Sequence, residues 1–301
     1  MSTSALLPDA ASRDAGRARP GADTGGPAPW FRRINLTAII TWFAGVVFVL
    51  LVLAILFAVV VSSFGVTWRT GWWPQGFTTQ WYAQAWSQTG VPQSLLTTFE
   101  VAFATVAIAL VAGVPCAYVI ARRSFPLKSV VLLLMLLPAT LPPLTYAVQL
   151  AAMMYRIGIG GSVLAVILVN VVPVLPFVIL ITIPFVEQVS PDVENAARVF
   201  GANGVRMFQR VLIPLMAPGI VAAAILSLVR VLGAFDLTFF VSSQRSQTLV
   251  VTIFAALSAP GGVPIGLAGA MSVFYLVVAF VGLAVSLRFA NPAQAFQRLG
   301  R

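Results

Sequence analysis

Residues Glu187–Gly219 read EQVSPDVENAARVFGANGVRMFQRVLIPLMAPG, the longest polar interruption between the apolar segments of the chain. The stretch holds three of the eight acidic residues, and three arginines: Arg198, Arg206 and Arg210. Its first half predicts a short helix. Ser190 is placed to cap it, Pro191 suits a first helical position, and Asp192 and Glu194 fall in the first turn, where the helix dipole favours negative charge. Gly201 is a natural stop. A second amphipathic stretch is expected to set Val205, Phe208, Val211 and Leu212 on one side. Pro214 and Pro218 are then expected to break the chain before the next apolar run. A connection between membrane helices needs only a few residues, and this one has about thirty, patterned as a helical hairpin.

The pattern resembles one found in the permease subunits of binding-protein-dependent ABC importers of the bacterial inner membrane. Their loop has the form Glu-Ala-Ala-x3-Gly-x9-Ile-x-Leu-Pro. Here Ala196 and Ala197 are followed by three residues and Gly201, and nine residues later by Val211, Leu212, Ile213 and Pro214. Asn195 stands at the Glu position, with Glu194 one step earlier, so the carboxylate is turned by roughly 100° about the helix. The resemblance implies that Glu194, Asn195, Ala196, Ala197, Arg198, Gly201 and Pro214 belong to a coupling helix that docks in a cleft of a cytoplasmic ATPase. The shifted carboxylate departs from the family at the position through which its members pair with that ATPase.

Composition points independently to an integral membrane protein. The chain is 59% apolar and 9% charged, against about a quarter charged in soluble domains. A net charge of +10 is dispersed over segment ends, as the positive-inside bias produces, and implies no nucleic acid. There is no His, so a His-based metal site, triad or proton relay is excluded. Cys116 is the single Cys, which excludes an intrachain disulfide. Lys128 is the single Lys and has no glycine-rich context, so a phosphate-binding loop is absent. ATP and Mg, if used, are bound by another chain, and this one is expected to carry no cofactor.

Residues 1–36 read as a disordered polar tail, placed in the cytoplasm by Arg32 and Arg33. Six spans are expected in residues 37–290: about Thr37–Val61, Leu95–Ile120, Val130–Met153, Val163–Phe185, Gly219–Val241 and Leu267–Phe289. Residues 291–301 form a cytoplasmic end. The fold class is all-α, with the coupling hairpin between spans four and five. The external segment Ser62–Ser94 carries Trp68, Trp72, Trp73, Trp81 and Trp86, which suit an interfacial belt or a docking surface for an external binding protein. Its Gly76-Phe77-Thr78 and Trp81-Tyr82 resemble a stretch common at this place in the importer family. Prolines 138, 142 and 143 in the third span, and 173, 176 and 184 in the fourth, predict kinked helices around a path. Thr248–Leu257 is apolar but too short to span, which suits a partly inserted helix. With this topology fourteen basic residues lie inside and three, Arg69, Arg156 and Arg245, outside.

Three ionisable residues fall within spans: Glu100, Arg230 and Asp236. Charge in a membrane is costly and marks function by default. Glu100 is near enough to the outer interface to snorkel. Arg230 and Asp236, six apart on one expected helix, point to different sides. Arg230 is expected to line or gate a translocation path, or to pair with a partner permease.

The resemblance implies a second permease, two ATP-binding subunits and an external solute-binding protein as partners, in a bacterial inner membrane with both termini cytoplasmic. Val229–Phe240 and Gln247-Thr248-Leu249 look more like permeases for polyamines, ferric iron or organophosphonates than like disaccharide permeases, though a sugar stays open. The competing classes are a stand-alone secondary transporter or channel, which has no use for the hairpin, and a non-transport membrane anchor.

Overall fold

The structure, a computed structural model, describes residues 36–68, 71 and 73–289. The expectations for both tails, for Arg32, Arg33 and Arg69, and for Trp72 lie outside the described residues. The chain divides into two units at Leu53, within its first helix, α1 (Leu36–Phe64). The described part of the first unit is the beginning of α1, whose apolar side chains from Ile39 to Leu53 are exposed, as suits a lipid-facing helix.

The second unit is all helix among the described residues. After α1 come α2 (Gln80–Gln88), α3 (Val91–Arg122), α4 (Lys128–Thr140), α5 (Leu144–Arg156) and α6 (Val163–Glu187). There follow α7 (Pro191–Val199), α8 (Gly204–Met207), a π turn (Phe208–Leu212), α9 (Ile213–Leu232), α10 (Asp236–Val241), α11 (Leu249–Ser258) and α12 (Ile265–Phe289). Five described helices are long and apolar enough to cross a membrane: α1, α3, α6, α12 and the continuous run Gly204–Leu232.

The third expected span, Val130–Met153, is instead split into α4 and α5, each thirteen residues long. Pro142 and Pro143 cause the split. Neither has an N–H to donate, and the residue before a proline is driven to extended backbone, which Leu141 adopts at ψ 138°.

The core is built where α3, α6 and α9 meet. The buried stripe of α3 runs Val101, Ala102, Thr105, Val106, Ala109, Gly113, Val114, Ala117 and Ile120. The spacing is that of one helix face, and its small residues let backbones approach closely, the main source of helix association in lipid. A Cβ on Gly113 would sit 2.9 Å from Cγ1 of Val178 on α6. Polar side chains join elements elsewhere. Asn170 of α6 donates to Thr238 of α10 at 3.1 Å, and Thr98 of α3 accepts from the backbone N–H of Leu249 at 2.9 Å, capping α11. That contact holds the short apolar helix expected around Thr248–Leu257 against α3.

The aromatic segment Ser62–Ser94 divides in two. Trp73 and Trp86 are exposed, as a belt requires, but Trp81 is 9% exposed and its indole donates to the Gly65 carbonyl at 2.8 Å. Trp81 is core rather than belt: with Ala85, Leu249 and Met271 it forms a second buried cluster.

Candidate functional site: the hairpin between α6 and α9 and a polar cavity

The hairpin forms where the quoted stretch places it. Ser190 caps α7, its hydroxyl accepting from the Asp192 N–H at 3.2 Å, and Pro191 begins the helix. The C-terminus closes in a Schellman arrangement. The Ala202 N–H reaches the Ala197 carbonyl at 3.0 Å, and the Gly201 N–H reaches that of Arg198 at 2.9 Å. Gly201 sits at φ +82°, the left-handed region that glycine enters without a Cβ penalty. Asn203 then caps α8, accepting from the Arg206 N–H at 2.8 Å.

Two expectations in this stretch are corrected. Pro214 and Pro218 do not break the chain: helix continues from Gly204 to Leu232. The π turn over Phe208–Leu212 holds one extra residue and loosens the carbonyl ladder just ahead of Pro214, so the ring and the missing N–H are accommodated inside a continuous helix. Val205 is also not on the packed side; it is 66% exposed, while Met207, Leu212 and Met216 are buried. Val205 lies in the first turn of α8, beside the exposed residues Asn203, Gly204 and Arg206, before the helix reaches the bundle.

Glu194 is the pivot of the hairpin. It is 6% exposed, and its carboxylate takes two partners from the last turns of α3. Arg122 Nε donates to Oε1 at 2.6 Å and the Tyr118 hydroxyl donates to Oε2 at 2.8 Å. Arg122 also donates to the Val189 carbonyl, just before α7, and the Tyr118 ring meets Phe208 of the π turn edge-on at 5.5 Å. The end of α3 therefore grips both arms of the hairpin. This is the ion pair found among the described residues. The sequence marks Arg122 only as a basic residue at a helix end; its pairing with Glu194, and that of Tyr118, spans more than seventy residues and has no local signal.

The rest of the tip faces outward. Asn195, Ala196, Arg198 and Gly201 are exposed and Ala197 is half-buried, while Val199 and Phe200 stand almost free at 85% and 89%.

A second site lies within the bundle. The expected fifth span, Gly219–Val241, begins earlier than expected and stops at Leu232; Gly233–Phe235 is a non-helical break before α10. This break and the one at Pro142–Pro143 border one cavity of about 190 Å³. Its lining includes Tyr146, Asn170, Arg230, Phe235 and Asp236. Arg230 and Asp236 thus belong to two helices and reach the same space, against the expectation of opposite sides. No ion pair joins them among the described residues; the Arg230 guanidinium lies 5.4 Å from the centre of the Phe177 ring. Tyr146 and Asn170 are the lining residues that sequence reading missed, since a Tyr and an Asn inside apolar runs carry little signal. Glu100 does not line the cavity; it is exposed on the face of α3 that also presents Leu96, Phe103 and Val111. Such broken helices put unpaired backbone and polar side chains at membrane depth only where they border a cavity.

Residues 109–291 match the family described as "Binding-protein-dependent transport system inner membrane component". The chain is similar to the sulfoquinovosyl glycerol transport system permease protein of Agrobacterium fabrum, 32% identical over 60% of this chain and 64% of that protein. It also resembles the diacetylchitobiose uptake system permease protein of Streptomyces coelicolor, 27% identical over 58% of each chain. The matched part thus spans about three fifths of the length of these relatives. Other relatives are named for sulfate and molybdenum transport. In fold it matches a chain from the crystal structure of a bacterial ABC transporter that imports alginate. The TM-score is 0.71 at 15% identity, over 87% of this chain and 99% of that one. The family match covers more than half of the chain and includes α7, the π turn and the cavity: this protein belongs to the binding-protein-dependent transport system inner membrane components, the permeases of ABC importers.

Proposed function

We propose that this chain is the membrane-spanning permease subunit of an ATP-driven importer, moving a small polar solute handed over by an external binding protein. A second permease, identical or homologous, completes the path, and two ATPase subunits, which bind ATP and Mg, sit on the cytoplasmic side. Both termini are cytoplasmic in this reading. The observation that carries it is the hairpin: an exposed apolar tip, outside the bundle, anchored at its base to a spanning helix. Exposed Val199 and Phe200 have no role in a chain that works alone, and they suit insertion into a partner's cleft.

The geometry supplies a mechanism. When the ATPases close on ATP, they displace the tip formed by Asn195, Ala196, Ala197, Arg198 and Gly201. Glu194 and Arg122 carry that displacement to the end of α3. Because α3 packs against α6 and α9, its motion tilts the helices that border the cavity. The cavity then opens to one side of the membrane or the other. Pro214, next to the π turn, joins the hairpin to α9 without a flexible linker. Within the cavity Arg230 and Asp236 form a polar station on the path. Glu100, on the exposed face of α3, lines the path where the partner permease closes it.

For the solute, the cavity brings together one cation, one carboxylate, an amide, a phenol and an aromatic ring. That balance suits a polyhydroxylated solute, which needs donors and acceptors together with a ring to stack on. Relatives named for diacetylchitobiose and for melibiose, raffinose and stachyose support this reading, while those named for sulfate and molybdenum stand for a charged cargo. Uptake into inverted-orientation-controlled proteoliposomes is the test. Solute entry that requires the ATPase, ATP and the binding protein together agrees with it; entry driven by a solute or ion gradient alone does not.

A further inference from the structure

We propose that the surface which receives the hairpin tip is acidic, so that the tip enters it as a cationic, aromatic plug. The inference rests on the reading of the hairpin as the ATPase dock, and adds the chemistry of the partner.

Three observations meet here. First, the tip has lost its usable carboxylate. Glu194 is 6% exposed and fully occupied by Arg122 and Tyr118, and the next residue outward is the neutral Asn195. Second, the sequence from Asn195 to Phe235 contains no Asp or Glu, yet includes exposed Arg198, Arg206 and Arg210. The nearest exposed acid, Asp192, lies in the first turn of α7, at the opposite end from the tip. Third, between Arg198 and Arg206 the chain offers Val199, Phe200 and Val205, at 85%, 89% and 66% exposure. An aromatic anchor flanked by arginines is the residue pattern of an interface hot spot. Its complement is an apolar socket for Phe200 with carboxylates at its rim; a basic rim would meet it with like charge. The partner is therefore an ATPase whose docking cleft carries Asp or Glu where it faces Arg198 and Arg206.

The test uses the full-length permease in detergent and the ATPase that co-purifies with it from native membranes. Binding of the R198E/R206E variant should weaken by at least about tenfold, and the wild-type complex should weaken as salt rises from about 0.05 to about 0.5 M. F200A should weaken binding at both salt concentrations. Reversing the ATPase carboxylate that cross-links to position 198 should restore binding of R198E. R198Q/R206Q, which adds no new charge, keeps the test valid should the double reversal misfold. Full-strength, salt-insensitive binding by R198Q/R206Q overturns the acidic cleft while leaving the docking reading in place. A wild-type permease that holds no ATPase overturns both.

Discussion

Glu194 and Asn195 are neighbours with opposite duties. One step along α7 separates a buried carboxylate bound to Arg122 from an exposed amide at the proposed docking surface. Removing one partner from a buried pair leaves an uncompensated charge, which costs on the order of 3 kcal/mol. R122A should therefore loosen the hairpin base: the protein inserts, but transport falls while ATPase activity persists. Measuring solute moved per ATP hydrolysed in proteoliposomes checks this, since a defect of folding alone would lower both together. Gly201 makes a different prediction. Nothing lies within 4 Å of a Cβ built there, so a larger side chain meets no neighbour and suffers only from φ +82°. G201V should cost about 1–2 kcal/mol of local stability and lower the same ratio. At Ala197, half-buried in α7, a charged residue should uncouple ATPase activity from transport while insertion stays normal. In the cavity, R230Q should reduce uptake by about tenfold or more with the complex intact on size-exclusion chromatography; normal uptake would remove Arg230 from the path.

At the scale of the element, the π turn and the two helix breaks matter most. The π turn holds one residue more than an α-helix needs, so deleting exposed Gln209 should restore α-helical spacing. It would also put Pro214 inside a regular α ladder, where its ring meets the carbonyl four residues back and its missing N–H strains or breaks the joint between hairpin and α9. The variant should lose coupling although every side chain of the docking tip remains; full activity would show that the insertion has no mechanical role. Much of this architecture was legible beforehand. Ser190, Pro191 and Gly201 are local signals for the ends of α7, and long apolar runs gave the spanning helices. What was not legible depends on register or on distant partners. Pro214 looks like a break until the π turn ahead of it is known. Gly233-Ala234-Phe235 interrupts an apolar run with no proline to mark it, so the sequence alone places Arg230 and Asp236 on one helix and on opposite sides. Arg122 reads as a topology-setting charge at a helix end, and only the fold brings it to Glu194.

For the whole molecule, the hairpin lies at one end of a connected set of contacts. The tip is exposed, its base is clamped to α3, and α3 packs on the helices that border the polar cavity. Such an arrangement converts a push at the hairpin into a change at the cavity only if a partner supplies the push. The central claim is therefore that this chain works with an ATPase it does not contain. Affinity purification from native membranes in mild detergent, with mass spectrometry of the recovered chains, tests it most directly. The account predicts stoichiometric recovery of an ATPase bearing a phosphate-binding loop, and of a second permease chain or a second copy of this one. Recovery of this chain alone, still moving solute after reconstitution without ATP, would contradict it.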